Sequence, residues 1–151
     1  MPNTPAQIGE GITVWTATPQ VTAQQKQWAA SILGVMGVEI FVDDEKYLDA
    51  ATAVSGSGPA YVFLFIESLT AAAEKLGFTP EVSQKLVMHT LLGSGHLLQK
   101  SGKTPQELRR MVTSPGGTTA EAIGVFENGG FKELIEKAVV AAHEKAKQLG
   151  S

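Results

Sequence analysis

Residues Ser114-Pro115-Gly116-Gly117-Thr118-Thr119 are of the types that hold a small anion. Two adjacent glycines admit positive φ and leave room for a ligand to touch the main chain. Thr118 and Glu121 have the spacing of a capping box, which predicts a helix beginning at about Thr119. A helix start presents unpaired N–H groups and a partial positive charge, a natural seat for a carboxylate or phosphate. No lysine follows the glycines, which argues against a nucleotide P-loop. On spacing alone, the same residues also suit a plain capped turn between two helices.

Other reactive side chains are scattered. His89 and His96 lie seven apart and His143 is far along the chain, so no i, i+4 pair marks a metal site, and none is expected. Asp43, Asp44 and Glu45 form an acidic cluster that reads as a solvated helix start. Ser55 and Ser57 have no neighbouring base and read as helix caps.

The elements that must position these groups change character near Asp43. Before it, GITVWTA and VEIFVDD are β-rich runs, and the stretch between them reads as a helix capped by Thr22. Val21, Trp28, Ile32, Leu33 and Val35 give that helix its apolar face. Strand, helix, strand is a recognisable unit, but two strands make no stable sheet. Residues 1–43 therefore read as the end of a larger α/β domain, and residues 44–151 as an all-helical one.

In the helical part, residues 45–54 predict a short helix ending at SGSGP. Residues 59–76 predict one that is apolar almost all round in its first half, including Tyr61, Phe63 and Phe65. Such a helix must be covered on every side, which points to a second subunit. Residues 81–100 predict a helix in which Gly93 and Gly95 allow close approach of another backbone. Thr104, Pro105 and Glu107 form a capping box for a short helix, and a long amphipathic helix starts at Phe131.

Composition bounds the rest. The 151 residues are 43% hydrophobic, contain no cysteine and carry a net charge of −3. That balance offers no electrostatic footprint for nucleic acid or an anionic membrane. The longest apolar run, Pro59 to Ile66, is too short to span a bilayer. The opening MPNTPAQIGEG lacks the pattern of a signal peptide. A soluble, cytoplasmic protein is expected.

PQELRRMVTSPGGTTAEAIGVFE (residues 105–127) resembles the signature segment of the pyrroline-5-carboxylate reductase family. SGSGPAYVFLFIESL from Ser55 resembles the opening of that family's dimer helix, MPNTP its strand-to-loop segment beside the nicotinamide, and the GGF at Gly129 also fits. The likeness runs in order from end to end. It implies NADPH- or NADH-dependent reduction of 1-pyrroline-5-carboxylate to L-proline, the closing step of proline biosynthesis, without a metal. It also implies an N-terminal Rossmann domain for the cofactor and a helical domain that forms a homodimer, or a higher oligomer, and builds the substrate site.

Carried over residue by residue, the resemblance implies that Ser114, Gly116, Gly117, Thr118 and Thr119 wrap the substrate carboxylate. Thr119 sits by the ring nitrogen as the catalytic candidate, Glu45 lies close to the substrate, and Pro2, Asn3 and Thr4 touch the cofactor. One departure counts: no G-x-G-x-x-G here follows a strand and opens a helix, since GEGITV and GSGPAY have the wrong context. The expectation is a C-terminal portion of the reductase, lacking most of the cofactor domain and inactive alone. The alternative is a non-catalytic helical homodimer that binds proline or a similar carboxylate.

Overall fold

The computed structural model describes residues 1–150 and is mainly helical. Among the described residues there are two strands, β1 (Gly11–Trp15) and β2 (Gly37–Phe41), and seven α-helices. These are α1 (Ala23–Leu33), α2 (Lys46–Ala51), α3 (Gly58–Lys75), α4 (Pro80–Ser101), α5 (Pro105–Met111), α6 (Thr118–Asn128) and α7 (Phe131–Gly150). The chain forms two compact units.

The first unit comprises Met1–Val62 and the segment from Ile135 onward. Here β1 and β2 pair in parallel, Gly11 opposite Gly37 and Trp15 opposite Phe41, with α1 as the crossover. A side chain cannot fit at the first pair. Gly37 has φ +130, and a Cβ on it would lie 2.1 Å from the Gly11 carbonyl oxygen. Thr13 and Val14 are buried, and the Trp15 indole N–H donates to Glu39 across the ladder.

Thr22 caps α1 as expected, in a full capping box with Gln25. Of the apolar face expected for α1, Val21 and Leu33 are half-buried. Trp28, Ile32 and Val35 are exposed, whereas Lys26, Ala29, Ala30 and Leu33 take the half-buried side. Periodicity finds an apolar row, but only packing decides which row is covered. The helix is also shorter than expected, because Gly34–Met36 tightens into a 3₁₀ turn before β2.

The short helix ends within SGSGP as expected, two residues late: α2 widens into one π-helical turn, Thr52–Gly56, and a bend at Ser57 separates it from α3, which starts at Gly58. Ser55 caps nothing: its hydroxyl donates back to the Ala51 carbonyl, a side-chain bond compatible with helical backbone. Ser57 gives its N–H to Thr52 O at 2.8 Å, closing the π turn, and its carbonyl accepts from Ala60 N–H at 3.0 Å as α3 begins.

The second unit is Phe63–Leu134. Thr79 caps α4 with Pro80 in its first turn, and Thr104 with Glu107 forms the expected capping box of α5. Val87 and Ser83 are its buried residues. On α3, Phe63 is 56% and Leu64 63% exposed, and on α4 Leu86, Leu92 and Leu97 are exposed. The apolar surface that the sequence assigns to these helices is thus present and bare within the chain.

Candidate functional site

The bend before α6 is built from the backbone upward. Thr113 ends the preceding helix by donating its hydroxyl to the Arg109 carbonyl. Gly117 N–H then closes a turn onto Ser114 O at 3.1 Å, with Gly116 in the left-handed region at φ +67. Only glycine holds that conformation without strain. Gly117 itself is extended, φ −85 and ψ 164, and is the N-cap of α6.

This geometry revises two expectations. The helix starts at Thr118, one residue early, so Thr118 and Glu121 occupy its first and fourth positions. They are then out of phase for a capping box, and among the described residues no side chain caps this end. Positive φ belongs to Gly116 alone. At Gly117 the constraint is milder: a Cβ there would displace the Ser114 hydroxyl and lie 3.2 Å from Ser114 O.

The absence of a side-chain cap keeps the chemistry open. The first amides of an 11-residue helix, at Thr118, Thr119 and Ala120, have no acceptor from the helix itself. Ser114, Gly116 and Thr118 are exposed and Thr119 is half-buried, so the bend is reachable. It can accept an anion through main-chain donors, assisted by the helix dipole.

Glu45, in the first unit, is exposed and immediately precedes α2. Its neighbour Asp44 does the local capping, accepting from Lys46 N at 2.9 Å and pairing with Lys46 Nζ at 2.8 Å. That lysine holds the Asp44 carboxyl below the usual range. At the amino end of the same unit, Asn3 Oδ1 accepts from Ile12 N at 2.9 Å, fastening MPNTP to the edge of β1. Met1 adds two bonds to Val14, from its N-terminal amine and to its carbonyl, and desolvation lowers the pKa of that amine. Pro2 is exposed, and Thr4 opens a 3₁₀ turn, Thr4–Ile8. The structural task of Asn3 has no signature in the sequence.

The sequence reading also missed a hollow of about 510 Å³ in the second unit. Phe65, Ile123, Phe126 and Phe131 line it together with Arg109, Glu127, Lys132 and Glu133. Arg109 pairs with Glu127 at 3.1 Å, and Phe126 meets Phe131 at 5.4 Å between centroids. None of Ser114 to Thr119 lines it.

The family model described as pyrroline-5-carboxylate reductase dimerisation matches residues 45–149. The chain belongs to the pyrroline-5-carboxylate reductase family. It is 45% identical over 149 residues to a pyrroline-5-carboxylate reductase of Pseudomonas aeruginosa, covering 99% of this chain and 55% of that one. The soybean (Glycine max) reductase is 41% identical over 149 residues, 99% of this chain and 54% of its own. The chain thus spans about half the length of the curated relatives it matches.

Solved reductases agree. The Plasmodium falciparum pyrroline carboxylate reductase with NADP bound superposes with a TM-score of 0.94 at 42% identity, covering all of this chain and 62% of that one. A pyrroline-5-carboxylate reductase from Coxiella burnetii gives a TM-score of 0.94 at 44% identity, over 99% of this chain and 55% of that one. The helical dimerisation fold is therefore shared with the reductase family. Among the described residues no helix is long and apolar enough to cross a membrane.

Proposed function

We propose that the chain is the substrate-binding and dimerising part of an NAD(P)H-dependent reductase that converts 1-pyrroline-5-carboxylate to L-proline, in the cytoplasm. Residues 1–43 are the closing segment of the nucleotide-binding α/β domain, and residues 44–151 the helical domain. The observation that carries this reading is the uncapped start of α6 behind a left-handed Gly116. It offers main-chain donors to a carboxylate, in a chain of the reductase family.

In this reading the amides after Gly117 fix the carboxylate, with Ser114 and Thr118 beside them. That aligns the ring, which is catalysis by positioning. Thr119 hydrogen-bonds the ring nitrogen and orients it, and Glu45 is the acidic residue that the family resemblance assigns to the substrate. A bound nicotinamide would supply the hydride to the imine carbon, the ring nitrogen carrying a proton with which the substrate arrives from solvent. The residues present do not make a whole dinucleotide site. The loop from β1 to α1, residues 16–22, contains no glycine, so it builds no phosphate-binding turn. Pro2, Asn3 and Thr4 would meet only the nicotinamide end. A second reading, a non-catalytic homodimer that binds proline, rests on the same uncapped bend and bare helices.

Self-association follows from exposure. The chain presents 11033 Å², whereas a folded monomer of 15.9 kDa exposes about 7400 Å². The excess is larger than the roughly 800 Å² per partner of an ordinary interface. A second copy covering the exposed apolar residues of α3 and α4 removes part of it, and the rest of a nucleotide-binding domain against the bare face of residues 1–43 removes another part.

Thr118→Pro tests the carboxylate seat. Proline is favoured at a helix's first position, and the extended Gly117 tolerates a following proline, so α6 should persist while one donor is lost. Calorimetric titration with L-proline should show affinity falling about 10- to 100-fold, as for a hydrogen bond to a charged group. Thr118→Ala, which keeps the N–H, should bind nearly as the parent. Unchanged affinity in Thr118→Pro would place the seat elsewhere.

A further inference from the structure

The run Thr52-Ala-Val-Ser-Gly-Ser-Gly-Pro59 carries one π turn, Thr52–Gly56, before a bend at Ser57 and the start of α3 at Gly58. A π turn lengthens the hydrogen-bonded ring by one residue and leaves a carbonyl without its usual donor. That carbonyl can be named. In an α-turn Ser57 N–H would bond to Ala53 O, but here it bonds to Thr52 O at 2.8 Å. Ala53 is fully buried, so solvent does not reach the residue to supply the missing donor. The Tyr61 hydroxyl, eight residues on, donates to Ala53 O at 3.1 Å.

We propose that the Tyr61 hydroxyl is the latch that holds this turn in the π register, and that the register seats the amino-terminal segment. Gly56, the last residue of the turn, faces Met1: a Cβ built on Gly56 lies 3.7 Å from the Met1 sulfur. Met1 and Asn3 are in turn bonded to Val14 and Ile12 of β1. A slip to the α register rotates the chain by about 100° per residue, so Gly56 would leave Met1. The Thr52 and Ser55 hydroxyls occupy the carbonyls of Leu48 and Ala51 just upstream, which eases departure from α geometry. Tyr61 is a positioning residue that works through the turn. The inference holds whether or not the chain binds proline.

The test reads which carbonyl accepts the Ser57 N–H, by through-hydrogen-bond coupling in NMR of the isotope-labelled chain. The parent should couple Ser57 to Thr52. Tyr61→Phe, which keeps the ring, should move that coupling to Ala53 and shift the Met1 methyl resonance. Retention of both the Thr52 coupling and the Met1 shift in Tyr61→Phe would overturn the proposal. A second measurement serves even if that variant folds poorly. Deleting Val54 removes the residue that the π turn absorbs, so the hydroxyl should become dispensable. Tyr61→Phe should then lower the denaturant midpoint in the full chain and leave it unchanged in the deletion background. An equal loss in both backgrounds would also overturn it.

Discussion

Leu64→Ala is the perturbation through which the second-subunit account can be measured. Leu64 lies on α3 and is 63% exposed within the chain. Burying a leucine completely is worth about 1.5–3 kcal/mol, so the part that a partner would cover is worth roughly 1–2 kcal/mol. A two-fold dimer loses it twice, about 2–4 kcal/mol, which raises the dimer dissociation constant about 30- to 1000-fold. The chain itself loses little, because most of that side chain is already in water. Sedimentation equilibrium across nanomolar to micromolar concentrations should show the parent dimeric and the variant dissociating, with helical circular dichroism kept wherever dimer persists. A parent that is a stable folded monomer at micromolar concentration would refute the reasoning, and so would a variant of unchanged dissociation constant.

Three further outcomes follow. Gly37→Ala should unfold the β1–β2 pair by about 3 kcal/mol or more, since the new methyl meets the Gly11 backbone at a positive φ; loss of the Trp15 near-ultraviolet signal reports it. Thr104→Ala should lower stability by about 0.5–2 kcal/mol through loss of the α5 cap, read by denaturant midpoint. The pH arm of that cap has a defined sign. Glu107 accepts from the Thr104 backbone N–H and hydroxyl, which holds its carboxyl below the ordinary 4.5. A lowered folded-state pKa stabilises at neutral pH and is lost as pH falls from about 4.5 through the folded value; Glu107→Gln should remove that acid dependence. Finally, the chain alone should oxidise NADPH with 1-pyrroline-5-carboxylate far below the roughly 10 per second typical of enzymes, by absorbance at 340 nm.

Much of the helical architecture was legible because its signals are local. Thr22 and Thr104 each cap the helix their spacing announces, and α7 begins where Phe131 places it. Where packing decides, the sequence was a weaker guide. The row Trp28, Ile32, Val35 is real but lies on the uncovered side of α1. The SGSGP segment marks the helix end, but nothing in it announces the π turn whose stranded carbonyl the Tyr61 hydroxyl satisfies. At the bend, glycines marked the place correctly, but the division of labour between Gly116 and Gly117 follows from Ser114, a contact that no spacing rule encodes. Asn3 is similar, since its bond to Ile12 depends on how the chain doubles back.

The central claim is that the bend before α6 is the carboxylate seat of a reductase substrate site, and a crystal structure with L-proline bound tests it most directly. The account predicts proline's carboxylate oxygens within hydrogen-bond distance of main-chain amides in Gly117 to Ala120, with the ring nitrogen beside Thr119 Oγ1. Proline held in the hollow lined by Phe126 and Phe131, or anywhere away from Ser114 to Ala120, would contradict it.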